Sequence, residues 1–412
     1  MSPGASFQFP VSSLRLSRDA AEGNGVPPDR NLKPETGNVE PRSRARYIMI
    51  GGFLGAGKTT AVARLARHLS NQGLRVGLIT NDQGSALVDT ALLRASGFAT
   101  EEIPGGCFCC RFNSLVEAAN KLTMATRPQA FIAEPVGSCT DLVATVTYPL
   151  RRIYGDNFSI APLSVLLDPI RALRIFSLEP GGKFSDKVLY IYRKQLEEAD
   201  LIVINKCDLL EEKKRAALRE ALHREFPHAE LFEVSARDGA GLDRWFDRLT
   251  KSEQRSGTAL EVDYALYAEG EALLGWLNGT VQLAAADGFD GNVLLNYLAA
   301  EIQGRLQSHG AEIAHLKMTL APDAGLDAIA VVNLVRNDYV PEASQTLEEP
   351  VESGQLIVNL RAEASPDVLR DSVQAAVTSL AGRFRGLAVR LEHLEHFRPG
   401  KPTPTHRMTA AG

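Results

Sequence analysis

Two rhythms of apolar residues alternate along the first 250 positions. Unbroken apolar runs at 47–50, 74–79, 130–133, 161–167, 201–204 and 231–234 read as buried strands. Between them, apolar residues recur at three- and four-residue spacing over 60–69, 112–124 and 183–198, as on one face of a helix. Strands and helices in alternation predict a doubly wound, mostly parallel α/β sheet. A polar stretch at 251–258 reads as a linker, and beyond it the rhythm changes. Strands are expected at 260–267, 280–284, 312–320, 328–336, 355–361 and 387–394, with helices at 292–306 and 366–384. That mixture implies a smaller α+β domain with both helices on one sheet face. The expected division is a disordered segment over 1–45, a nucleotide-type domain over 46–250, the α+β domain over 259–396 and a flexible tail over 397–412.

Composition narrows the function. With 412 residues, 44% hydrophobic and 23% charged, the chain can fill two or three cores. A net charge of −5 lacks the clustered basic surface that nucleic acid or an anionic membrane calls for. No apolar run reaches the ~20 residues of a membrane span, and Asp19, Glu22 and Asp29 interrupt any secretory pattern. Five cysteines, three of them within 107–110, suit a metal or redox site better than a disulfide framework. A reducing, cytoplasmic location is expected.

Chemistry enters at Gly52-Phe53-Leu54-Gly55-Ala56-Gly57-Lys58-Thr59, which fits the phosphate-loop pattern between a strand and a helix opening at Thr60. Its glycines let backbone N–H groups turn onto a polyphosphate at a helix N-terminus. Lys58 would reach the β- and γ-phosphates, and the Thr59 hydroxyl would ligate Mg²⁺. After the second strand, Asp82 reads equally as a Mg²⁺ contact and as a turn residue. Glu134, ending the 130–133 strand, stands where phosphate-loop proteins keep the acid that supports Mg²⁺ and positions water, and Gly137 could offer its N–H to the γ-phosphate. Asn205-Lys206-Cys207-Asp208 follows the 201–204 strand. A carboxylate at Asp208 can accept from both guanine donors, which adenine lacks, so GTP is preferred over ATP. Asn205 and Lys206 would brace base and phosphate loop, and the backbone N–H of Ala236, after Ser235, would read the guanine oxygen.

Cys107, Cys109 and Cys110 follow paired glycines and can converge as soft ligands for Zn²⁺ or a related ion. Three ligands leave a tetrahedral position open, as a site that releases metal needs. A structural zinc site closed by a distant ligand, or a set of unliganded thiols, remains the alternative. His393 and His396, among acidic neighbours, read as solvated surface.

In this order the motifs resemble the CobW/HypB/UreG group of phosphate-loop GTPases over residues 46–250, and Gly-Cys-x-Cys-Cys is most like the CobW-like branch. The resemblance implies a GTPase acting as metallochaperone or metal insertase, with GTP and Mg²⁺ as cofactors and Zn²⁺, Co²⁺ or Ni²⁺ as cargo for an apo-metalloprotein. It implies that Cys107, Cys109 and Cys110 hold the cargo and that Glu134 takes the Walker B role. Lys58, Asp82 and Glu134 are the expected catalytic set. Two departures stand out: the family's Asn-Glu-Phe-Gly-Glu is Asn81-Asp82-Gln83-Gly84-Ser85 here, and histidines are sparse near the C-terminus. A GTP-dependent chaperone of a cobalamin enzyme with a structural ion is the first alternative. An ATP-dependent small-molecule kinase is the second, opposed by Asp208. Dimerisation stays open.

Overall fold

The computed structural model describes residues 44–81, 93, 97–254, 259–324 and 328–409. The first sheet consists of eight parallel strands: β1 (Ala45–Gly52), β2 (Val76–Asn81), β3 (Ala99–Ile103), β4 (Ala130–Glu134), β5 (Phe158–Ile160), β6 (Ser164–Leu167), β7 (Leu201–Ile204) and β8 (Glu230–Glu233). Their order is β3-β2-β4-β1-β6-β7-β8, with β5 beside the start of β1. The chain passes from β1 to one flank of the sheet, returns through β4, and then builds the other flank. The carboxyl ends of β4, β1 and β6 therefore form the crevice where ligands bind in such sheets. Helices α1 (Lys58–Asn71), α2 (Phe112–Thr126), α3 (Tyr148–Tyr154), α4 (Pro169–Ile175), α5 (Asp186–Glu197), α6 (Glu212–Glu225) and α7 (Leu242–Lys251) connect the strands. α1 buries Ala61, Val62, Leu65, Ala66 and Leu69, a helical spacing, in the core shared with Ile48, Ile50 and Trp245.

The second sheet is antiparallel and follows α8 (Tyr264–Leu273). Its strands are β9 (Leu274–Phe289), β10 (Glu312–Pro322), β11 (Ala330–Leu334), β12 (Glu342–Gln345), β13 (Val351–Glu363) and β14 (Ala388–Phe397), in the order β12-β11-β10-β13-β9-β14. α9 (Gly291–Ser308) and α10 (Pro366–Arg383) share one core with Leu316, Met318, Val358 and Leu360 of the sheet. No helix among the described residues is long and apolar enough to cross a membrane.

Three sequence expectations give way. The alternation at 260–267 suggests a strand, but Asp263 accepts from the N–H groups of Ala265 and Leu266 and caps α8 instead. The buried residues Tyr267, Gly270 and Glu271 then follow the i, i+3, i+4 helical spacing. β3 and β12 are polar strands that apolar runs do not announce. The segment after Phe397, expected to be a flexible tail, has no regular structure yet is fixed by backbone hydrogen bonds. Thr405 donates its N–H to Cys109 O at 2.8 Å, and Met408 donates to Ala144 O at 2.9 Å.

Candidate functional site

β1 delivers the phosphate loop into the crevice, and α1 begins directly after it. Gly57 caps α1 at φ 89° with no side-chain cap, leaving the first helical N–H groups to a ligand. Any Cβ on Gly57 would sit 2.4 Å from Asn205 Nδ2, so only glycine allows that approach. Lys58 and Thr59 are buried. The Thr59 hydroxyl donates to Glu134 Oε1 at 3.0 Å, which unites the two expected Mg²⁺ ligands from α1 and β4. Lys58, Thr59, Thr60, Glu134, Gly137, Asn205, Lys206 and Ala236 all line one cavity of about 440 Å³ with Gly55 and Gly57. Gly52, Ala56, Asp208 and Ser235 are not in its lining. Asp82 lies outside the described residues.

The base-side loops are tied to the phosphate loop. Asn205 donates from Nδ2 to Ala56 O at 2.9 Å and accepts at Oδ1 from Ala236 N at 3.0 Å. The Ala236 N–H expected to meet guanine is thus already engaged by Asn205. Lys206, at φ 55°, donates to Gly55 O and to Asp168 Oδ2, both at 2.9 Å. Asp208 is exposed and lies 3.9 Å from the Arg237 guanidinium.

No sequence signal marks the residues that join this crevice to the second sheet. Asp168 directly follows β6, caps α4 through Arg171 N, and also pairs with Arg336 at 3.3 Å. Burial pushes its carboxyl up, but Lys206, Arg171 and Arg336 outweigh that and hold it well below the usual carboxylate range. The buried Arg171 guanidinium donates to Leu54 O at 2.6 Å, to Ala314 O at 3.1 Å and to Val335 O. It therefore clips the phosphate loop to β10 and the end of β11. These placements come from tertiary packing of distant segments, which local patterns do not encode.

The three predicted thiols converge. Cys107 Sγ stands 2.7 Å from Cys109 Sγ and 3.3 Å from Cys110 Sγ, and the remaining pair is 3.7 Å apart. Tetrahedral bonds of ~2.3 Å would set sulfurs about 3.8 Å apart, so the set needs shifts of about 1 Å to take an ion. The Cys107 thiol is held well below its ordinary value by hydrogen bonding from Cys109, Cys110 and Cys139, despite burial. Cys110 is pushed up to about 11, first by its hydrogen bond to Cys107. A metal entering the cluster must displace the protons that its thiols still carry.

Cys139 is fully buried, and hydrogen bonding with it helps to lower the Cys107 thiol. It lies five residues beyond Glu134 on the same loop. Gln195 clamps that loop by donating to Gly137 O and Cys139 O at 3.0 and 2.8 Å. α8 braces it too: Ser138 Oγ donates to Glu271 Oε1 at 2.6 Å, and Tyr267 OH donates to Ser138 O at 3.2 Å. On the other side, Asn81 at the end of β2 lines the cavity and bonds Gly106 O, next to Cys107. Phosphate crevice and thiol cluster thus share two connections.

The family model for the CobW/HypB/UreG nucleotide-binding domain matches residues 46–233. The zinc chaperone YeiR of Escherichia coli (strain K12) is 30% identical over 177 residues, which is 42% of this chain and 50% of that one. A zinc chaperone CobW of Sinorhizobium sp is 29% identical over 199 residues, 42% of this chain and 53% of that one. The chain spans about half the length of these two curated relatives. The solved structure of Zn(II)-bound YjiA GTPase from E. coli aligns over 81% of this chain and 99% of that one, at 14% identity and a TM-score of 0.34. Through residues 46–233, this chain is similar to the CobW/HypB/UreG nucleotide-binding domain.

Proposed function

We propose that the chain is a GTP-hydrolysing metallochaperone that grips a transition metal at Cys107, Cys109 and Cys110 and passes it to an apo-metalloprotein. The observation that carries the reading is the pair of covalent and hydrogen-bonded links between crevice and thiols: Asn81 to Gly106, and Glu134 through Gly137 to Cys139. The phosphate loop holds the β- and γ-phosphates, with Lys58 at their oxygens. Mg²⁺ held by Thr59 and Glu134 would neutralise charge on the β–γ bridge. Glu134 orients water for attack at the γ-phosphorus; the bond to the β-phosphate oxygen breaks, and GDP and phosphate leave. Loops that lose the γ-phosphate relax, and their shift reaches the sulfurs. The proposed cargo is Zn²⁺, favoured by a thiolate set over Co²⁺ or Ni²⁺. The names of the relatives, zinc chaperones, support that choice.

Zinc competition titrations in GDP and in a non-hydrolysable GTP analogue test the reading, alongside phosphate release. We expect Zn²⁺ affinity to differ about tenfold between the two states, within the usual range of allosteric coupling. Equal affinities would overturn the coupling. A Cys109→Ser variant with unchanged Zn²⁺ affinity would overturn the cargo site. Equal displacement of bound GDP by ATP and GTP would remove the guanine assignment.

A further inference from the structure

The face of the second sheet turned away from its own helices is polar, and it is buried. Along β10, Leu316, Met318 and Leu320 enter the helix-covered core, while His315, Lys317 and Thr319 alternate onto the other face. Along β13, Val358 and Leu360 do the same against Asn359 and Arg361. Strand register sets Lys317 beside Asn359, and Arg361 between His315 and Trp276. Lys317 and Arg361 are only 6% and 4% exposed, and both line the same cavity as Lys58, Thr59 and Glu134. Arg361 is aimed by its neighbours. Its guanidinium lies 4.0 Å over the Trp276 ring and donates to Leu277 O at 2.8 Å and Leu360 O at 3.0 Å.

The order of the strands says which part of a nucleotide these cations face. β12 stands at the base end, where Glu342 pairs with Arg237. β11 and β10 stand at the phosphate loop: a Cβ on Gly55 would lie 2.9 Å from Val335 Cγ1 and 3.2 Å from Ala314 O. β9 follows α8, which braces Ser138 just past the 134–137 loop. β10 and β13 therefore span the interval from the phosphate loop to Glu134, where a terminal phosphate comes to rest.

We infer that Lys317 and Arg361 of the second sheet contact the γ-phosphate, so that the C-terminal half forms a cationic wall of the nucleotide site in cis. The inference rests on the nucleotide reading of the cavity given above. Charge builds on the γ-phosphoryl oxygens as the bond to the β-phosphate breaks, and fixed cations beside them stabilise that state. The same contacts let the second sheet distinguish GTP from GDP.

The test uses the full chain with fluorescent GDP, a fluorescent non-hydrolysable GTP analogue and a phosphate-release assay. Lys317→Gln and Arg361→Gln should each weaken the GTP analogue about tenfold and slow turnover at least as much, while GDP affinity stays within about twofold. Arg361→Lys, which keeps the charge, should recover part of the loss. If the variants bind both nucleotides as the wild type does and turn over at its rate, the inference is overturned while the nucleotide reading stands. Equal weakening of GDP and the GTP analogue in all three variants also overturns it, since the γ-phosphate is then not what they touch. A wild-type chain that binds neither nucleotide overturns the nucleotide reading and this inference together.

Discussion

Asn81 and Gly106 are joined by a 2.5 Å hydrogen bond from the side-chain Nδ2 to the backbone carbonyl, and the same nitrogen donates to Ile103 O at 2.8 Å. One amide thus holds the strand leading out of the nucleotide crevice against the loop that carries the thiols. Asn81→Ala removes the donor and leaves two carbonyls to find other partners, at about 1–3 kcal/mol for groups kept from water. The expected result is that the ratio of Zn²⁺ affinities in GDP and in a GTP analogue falls toward one, while each nucleotide still binds. Competition titration in both states measures it, and a ratio unchanged from wild type would show that coupling does not pass through this amide.

Asp168 is the hub between the two sheets. It touches Lys206 at 2.9 Å from the guanine-side loop and Arg336 at 3.3 Å from the end of β11. Asp168→Asn keeps the shape but takes a carboxylate from the half-buried Lys206 and from the buried Arg336. Breaking one partner out of a buried charge set costs roughly 3–5 kcal/mol. The denaturant midpoint should fall accordingly with little change in slope. GDP affinity should fall as well, because Lys206 also holds Gly55 O. A midpoint equal to wild type would mean the charges are solvated in solution and the hub is not one.

Glu198 makes stability depend on pH. Burial, followed by repulsion from Asp141, raises its carboxyl from an ordinary 4.5 to about 8. The folded chain keeps this proton across that window, whereas the unfolded chain loses it near the bottom of it. The fold therefore binds more protons, and this contribution is complete below about pH 4.5 and disappears as pH rises through about 8. Glu198→Gln cannot ionise, so its urea midpoint should decline less than the wild type's over the same range. Parallel declines for the two proteins would rule Glu198 out as the source.

The parts of this architecture that could be read from the chain are those whose chemistry is local. The phosphate loop is eight consecutive residues, the thiols occupy 107–110, and Asn205-Lys206-Cys207-Asp208 directly follows β7. Each needs only the strand before it to be aimed correctly. Arg171, Glu271, Lys317 and Arg361 carry no such signature, because each is brought to the crevice or to the loops that support it by a turn of the chain more than a hundred residues from the phosphate loop. Cys139 stood close to Glu134 in sequence, but its contact with Cys107 depends on how the 134–139 loop folds back under Gln195. Alternation at 260–267 misled because four residues of period two weigh less than one good cap at Asp263.

Cys139 separates a three-thiol from a four-thiol site. It is buried beside Cys107, so Cys139→Ser removes one sulfur with a small change in volume. If the fourth sulfur closes the tetrahedron, Zn²⁺ affinity should fall about 10- to 100-fold, comparable with loss of a supporting ligand contact. Charge-transfer absorption of bound Co²⁺ counts the thiolates directly and should drop in proportion. Unaltered Co²⁺ absorption would leave Cys139 a packing residue and the fourth position open.

The C-terminal segment covers the thiols. Thr403 donates its N–H to Cys110 Sγ at 3.2 Å, and Thr405 Oγ1 donates to Cys110 O at 3.0 Å. Arg407 anchors the segment to Asp141 at 2.7 Å, and the His406 ring meets Phe112 edge-on at 5.0 Å between centroids. An N–H directed at sulfur stabilises its thiolate, and a backbone laid across the loop narrows the route by which an ion leaves. Ending the chain before Lys401 removes both effects without touching a sulfur. Transfer of bound Zn²⁺ to a chelator should quicken about tenfold, with Arg407→Ala intermediate because it loosens only the anchor. Alkylation of Cys110 should quicken in the same order, since it is the most exposed of the three thiols. If full-length and shortened chains release the metal at one rate, the segment is only a neighbour of the thiols and places no limit on the metal's exit.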